Sequence, residues 1–100
     1  MINDFINKID SNYIFSDGEL EDIIQQVYFN VTDYNHKCSA STIDNSIILS
    51  IDDRHFCIDR FVNIDSDMVF FNQPYEVIKY IDPVNNKIDF YPIDKVRNLV

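Results

Sequence analysis

From Ser46 to Val62 the chain reads SIILSIDDRHFCIDRFV, and its apolar and polar positions alternate with a period of two. Ile47, Leu49 and Ile51 alternate with Ile48, Ser50 and Asp52; Phe56, Ile58, Arg60 and Val62 alternate with His55, Cys57, Asp59 and Phe61. That period, carried by β-branched and aromatic residues, predicts two strands. The polar break Asp52-Asp53-Arg54-His55 predicts the turn between them. A two-residue loop at Asp53-Arg54 would pair Ile51 with Phe56, Leu49 with Ile58 and Ser50 with Cys57. The strongly apolar pairs then share one face, as a half-buried sheet requires. A slip of one residue would turn the whole set toward water.

Two helices precede this hairpin in the pattern. Asn3 is placed to cap a short helix carrying Phe5, Ile6 and Ile9, broken by Ser11-Asn12. Ser16-Asp17-Gly18-Glu19 matches a capping box, in which Ser16 accepts from the Glu19 backbone and the Glu19 carboxylate reaches back. The helix that follows carries Leu20, Ile23, Ile24, Val27 and Val31 as one apolar stripe. Residues 36–42 predict a weak, small-residue edge strand, with a turn at Ile43-Asp44-Asn45. Beyond the hairpin, residues 63–67 form a polar loop, 68–71 a short strand, 75–82 and 88–91 a second hairpin around Pro83-Asn86. Pro92 is suited to open a short C-terminal helix with Ile93, Val96 and Val100 inward. The expected architecture is α+β: two N-terminal helices packed on an antiparallel sheet of about five strands, then a short C-terminal helix. A small closed barrel with two N-terminal helices is the alternative. No repeat, linker or low-complexity segment divides the 100 residues, so a single domain over 1–100 is expected.

Charge alters the functional picture more than the fold. The formal net charge is −9, with eight acids against two bases in residues 1–50 and nine against six in residues 51–100. Direct binding to nucleic acid or to an anionic membrane is opposed by that balance, and a basic protein partner is favoured. No apolar run approaches the roughly 20 residues of a membrane span. The start, MINDFINKID, lacks the basic and apolar regions of a signal peptide, which predicts a cytoplasmic protein. The abundance of Ile, Asn and Asp, with one Gly and no Trp, resembles coding bias in an AT-rich genome.

Candidate chemistry is sparse. His36-Lys-Cys38 and His55-Phe-Cys57 repeat a His-x-Cys pattern, and two His with two Cys can make a zinc site. A two-residue loop at Asp44-Asn45 puts Cys38 opposite Ile51 and on the other face from Cys57. A three-residue loop puts both cysteines on one face but two strands apart, near ~9.6 Å. That exceeds the ~7 Å reach of a disulfide, and the spacing matches no common zinc module. No metal or cofactor is therefore expected. Asp52, His55 and Asp59 can cluster on the second hairpin face beside Cys57, but His55 and Cys57 sit about 7 Å apart along one strand, too far for proton transfer. Asn63-x-Asp65-x-Asp67 begins like a calcium loop, yet Met68 replaces its glycine and Pro74 its bidentate glutamate. With no catalytic constellation, an enzyme is the last-ranked expectation.

The outer face of the second helix is the candidate working surface. Glu19, Glu21, Asp22, Gln25 and Gln26 lie there, with Phe29 nearly opposite the apolar stripe. An aromatic so placed either anchors a partner or marks the end of the helix, its ring folding under the sheet. Tyr13, Tyr28 and Tyr34 can extend the surface. The leading expectation is a small acidic protein-binding factor, of inhibitor or immunity type, that engages the basic surface of a larger protein and blocks a nucleic-acid-binding site there. The first alternative is a small-ligand or metal-binding domain on the hairpin face around His55, Cys57 and Asp59. Homo-oligomerisation is compatible with each reading.

Overall fold

The computed structural model describes residues 2–29 and 36–93. Two helices, α1 (Ile2–Asp10) and α2 (Asp17–Tyr28), precede six strands: β1 (Cys38–Ile43), β2 (Ser46–Ile51), β3 (Arg54–Asn63), β4 (Met68–Phe71), β5 (Tyr75–Ile81) and β6 (Ile88–Pro92). The strands form one antiparallel sheet in the order β1-β2-β3-β5-β6, with β4 also paired to β3. The α+β class is as expected, with six strands in place of about five. Pro92 is the last residue of β6, opposite Val77, and Ile93 directly after it is helical. The rest of the predicted C-terminal helix, including Val96 and Val100, lies outside the described residues.

The Ser16 capping box forms at the start of α2, with both reciprocal bonds in place. The central hairpin also forms, but its loop is Asp52-Asp53. Ile51 pairs with Arg54, Leu49 with Phe56, Ile47 with Ile58, and Ser50 with His55. The displacement from the expected register is two residues, so every side chain keeps its face. The physical reason is backbone conformation. Asp52 adopts φ 54°, and a short polar side chain tolerates the left-handed region better than Arg does. Asp44 (φ 53°), Asp67 (φ 55°) and Asn86 (φ 58°) serve the other turns in the same way. In a chain with one glycine, spent inside α2, Asx residues take over the turns.

The core lies between the helices and one face of the sheet. Ile2 and Phe5 of α1, Phe15 of the linker, and Leu20, Ile23 and Val27 of α2 meet Ile47, Leu49, Ile51, Phe56 and Ile58. Phe56 is the largest fully enclosed side chain, and Phe5 meets it edge-on at 5.6 Å between ring centroids. Arg54 clips the assembly at one end. Its guanidinium donates to Asp10 at the end of α1 and to Glu76 of β5, and these two carboxylates hold its pKa well above the ordinary arginine range, Glu76 contributing most.

β3 is the longest strand and is shared. Its first half pairs with β2 and β5, and its second half with β4. The Asn72 N–H donates to the Asp59 carbonyl at 2.9 Å, so β4 and β5 line one edge of β3 end to end. Pro74 lies in the break between them, where a missing N–H costs no ladder bond. The Gln73 side chain turns back to the α1–α2 linker, accepting from the Phe15 N–H at 2.8 Å and donating to the Phe15 carbonyl at 2.9 Å.

The opposite face of the sheet carries no helix among the described residues, yet Ile48, Cys57 and Val77 are only 3–4% exposed there, with Phe90 packed against them. One cleft is lined both by Ile43 and Asp44 at the β1 end and by Phe90 and Pro92 of β6. Four strand spacings in a flat sheet would hold β1 and β6 about 19 Å apart. The sheet therefore curls, and this face is its concave side. Closure to the barrel considered above is not reached among the described residues, because β1 and β6 remain its two edges.

Candidate functional site

The predicted α2 surface divides into parts. Glu21, Asp22, Gln25 and Phe29 are exposed on the outer face. Phe29 is the C-cap of α2 and is 67% exposed, as is Tyr28. The helix thus ends where the aromatic sits, but the ring does not fold under the sheet; it meets Tyr28 edge-on at 5.3 Å. Tyr34 lies outside the described residues.

Glu19 is occupied within the fold. Its carboxylate accepts from the Ser16 N–H at 3.0 Å, from the Tyr13 hydroxyl at 3.0 Å and from the Lys8 ammonium at 3.3 Å. These donors, the Ser16 N–H foremost, draw its pKa down to about 2. A carboxylate so engaged is a poor contact for a partner. Glu19, Asp22 and Gln26 instead line a groove of about 150 Å³ between α1 and α2, together with Asp4 and Lys8. Only Asp22 of the predicted set belongs to both the groove and the outer face. Sequence reading missed Asp4 as a member of the acidic rim, because only the packing angle of α1 brings it there.

The concave face of the sheet holds two polar clefts separated by the apolar row Ile48, Val77 and Phe90. The first, about 200 Å³, contains Ser46, Cys57 and Tyr75. All three converge on one oxygen of Asp59: Ser46 Oγ at 2.5 Å, Tyr75 Oη at 3.4 Å and Cys57 Sγ at 3.5 Å. Burial, the larger cause, and the neighbouring Asp59 both push the Cys57 thiol up. Burial likewise raises the Tyr75 phenol. Cys57 is thus held as a neutral thiol, the opposite of what an activated nucleophile requires.

The second cleft, about 390 Å³, lies at the other end of the same face. Lys37, Cys38, Ser39, Ser50, Asp52, His55 and Lys79 line it. The register explains the cluster, since Ser39 pairs with Ser50 and Ser50 with His55 across three strands. Ser50 Oγ and His55 Nδ1 are 2.7 Å apart. Burial, and next the charge of Lys79, lower the His55 pKa, so the ring is neutral near pH 7. Among the described residues no carboxylate bonds to the far ring nitrogen, as a serine–histidine–acid arrangement would need.

The two His-x-Cys pairs do not converge. The β1–β2 loop is Asp44-Asn45, Cys38 lies opposite Ile51, and Cys57 opposite Ile48. The cysteines therefore occupy opposite faces. His36 is tied to Asp52 Oδ2 at 2.7 Å and to Asn3 Oδ1 at 2.9 Å. Among the described residues, no group of three or more His, Cys, Asp or Glu side chains is arranged to hold a metal ion. No described helix is long and apolar enough to cross a membrane. No protein-family model, curated protein or solved structure matches the chain.

Proposed function

We propose that this chain is a non-catalytic protein-binding factor that engages the basic surface of a larger protein through the outer face of α2. The observation that carries the reading is the Tyr28–Phe29 pair. Two adjacent aromatic rings, each 67% exposed, end a helix face that bears Glu21 and Asp22. Aromatic side chains lose little conformational entropy on binding and supply large contact area, while carboxylates steer a cationic partner into register. Asp22 and Asp4 on the groove between the helices extend the negative surface. The working set is Glu21, Asp22, Gln25, Tyr28 and Phe29, with Glu19 kept for the capping box. A partner of this kind that normally binds nucleic acid would be inhibited by occupation of its phosphate-binding surface.

The test is affinity capture from source-cell lysate by the wild-type chain, by Phe29→Ser and by Glu21→Lys/Asp22→Lys, each at low and high salt. The expected result is a partner retained at low salt by wild type, lost in the charge-reversed variant, and reduced in Phe29→Ser. A partner captured equally by all three, with no salt dependence, refutes the assignment to this face.

A further inference from the structure

We propose that the cleft between β1 and β5 on the concave face is a binding site for a small oxyanion, a phosphate- or carboxylate-bearing ligand held by Lys37, Lys79, Ser39, Ser50 and His55. This site is independent of the α2 surface and lies on the other side of the sheet.

The argument begins with cations. Lys8 is paired with Glu19 and Asp4, and Arg54 with Asp10 and Glu76. Among the described residues, neither Lys37 nor Lys79 takes part in an ion pair. Both line the same cleft. In a molecule of net charge −9, two lysines lining one space without an ion pair among the described residues make a local exception to the field around them.

The other lining groups suit the same ligand. The pairing that aligns Ser39, Ser50 and His55 places two hydroxyls and an imidazole along one line across three strands. With Ser50 donating to His55 Nδ1 at 2.7 Å, the ring proton sits on Nε2, which becomes a donor. Asp52 is the one acid lining the cleft, and its two oxygens are already engaged. Oδ2 meets His36 Nδ1 at 2.7 Å, and Oδ1 accepts from the Lys37 N–H at 3.0 Å. Those two contacts lower its pKa, so Asp52 stays charged and fixed. Among the described residues no second carboxylate lines the cleft to satisfy the remaining donors. A space of about 390 Å³ admits a small ligand rather than a polymer.

Binding has a built-in reporter. His55 is faced by Ser50 from β2, by Lys79 and Glu76 from β5, by Asp53 from the turn and by the Phe90 ring of β6. An anion beside Lys79 would offset the charge that opposes protonation of the ring, and the His55 pKa would rise.

The experiment is an NMR titration of the whole chain with inorganic phosphate, and in a parallel arm with succinate, at an ionic strength held constant with sodium chloride. The expected result is a saturable shift confined to the Ser39, Ser50 and His55 signals, with the His55 titration moving to higher pH. Lys79→Gln should weaken half-saturation by about tenfold, or about 1.4 kcal/mol, through loss of a charge-assisted hydrogen bond. Lys37→Gln/Lys79→Gln should weaken it further. Both lysines are exposed, so these variants are expected to keep the wild-type fold, checked by unchanged amide spectra elsewhere. Response to phosphate alone assigns a phosphoryl ligand, and response to both anions a broader oxyanion site. Shifts that fail to saturate with either anion, or that Lys79→Gln leaves unchanged, overturn the proposal.

Discussion

The two faces of the sheet are built from the same strands but solve burial differently. Under the helices, Phe56, Leu49, Ile51 and Ile58 are sealed by residues from α1, the linker and α2. That face is apolar, with the Arg54 clip at its margin. On the concave face, curl replaces a second layer. Ile48, Cys57, Val77 and Phe90 enclose one another, and polar clefts open on both sides of them. A layered face excludes chemistry, whereas a curled face leaves room for it at the cost of a smaller core. Both clefts that open through the sheet itself lie on the side without helices.

Substitutions separate the two faces, and the largest effect is expected under the helices. Phe56→Ala should destabilise the fold by about 3–5 kcal/mol, because neighbouring elements cannot close the cavity. Val77→Ala on the concave face should lose about 1.5–2.5 kcal/mol, near the transfer value of the removed methyl groups with little cavity term. Denaturant unfolding measures both, and equal losses would erase the distinction between the faces. Asp44→Gly should gain up to about 1 kcal/mol by relieving the left-handed backbone at φ 53°. Cys57→Ser should change stability by less than about 1 kcal/mol, since the serine hydroxyl can bond to Asp59 in place of the thiol. A loss as large as that of Val77→Ala would mean that Cys57 belongs to a dry core.

Acid provides a further probe, directed at the helix side. Glu19 has a folded pKa lowered to about 2 from an ordinary value of 4.5. A depressed carboxylate stabilises the fold above its unfolded pKa and loses that contribution as the pH falls toward the folded one. Glu19→Gln should therefore flatten the melting temperature against pH between about 4.5 and 2. An unchanged profile in that window would remove Glu19 from the anchoring of α2 to the linker and α1.

Much of this arrangement was legible in the residues. The capping box, the apolar stripe of α2 as far as Val27 and the alternation through the central hairpin are local signals present in the structure, while Val31, expected to extend the stripe, lies outside the described residues. The two-residue loop at Asp53-Arg54 was misplaced because an Asp-Asp turn with Asp first has no strong signature beside the Asn-Gly kind. Faces survived that displacement because the strand period is two. Non-local features were not legible. Lys79 reaches the Ser50–His55 pair only because β5 docks on β3, and Glu19 leaves the predicted surface because Lys8 and Tyr13 close over it. The curl of the sheet, which brings β6 residues beside the β1 end, has no sequence period.

The two hydrogen bonds between the Gln73 side chain and the Phe15 backbone join residues 58 positions apart. In kinetic terms they tie the beginning of the chain to a site that exists only once β4 and β5 have met β3. The hairpins are local and can form early, while this tether must wait for a long loop to close. Docking of the helices is thus expected to follow assembly of the sheet. Gln73→Ala should then hasten unfolding while leaving the refolding rate nearly unchanged, which stopped-flow measurements of both limbs would reveal.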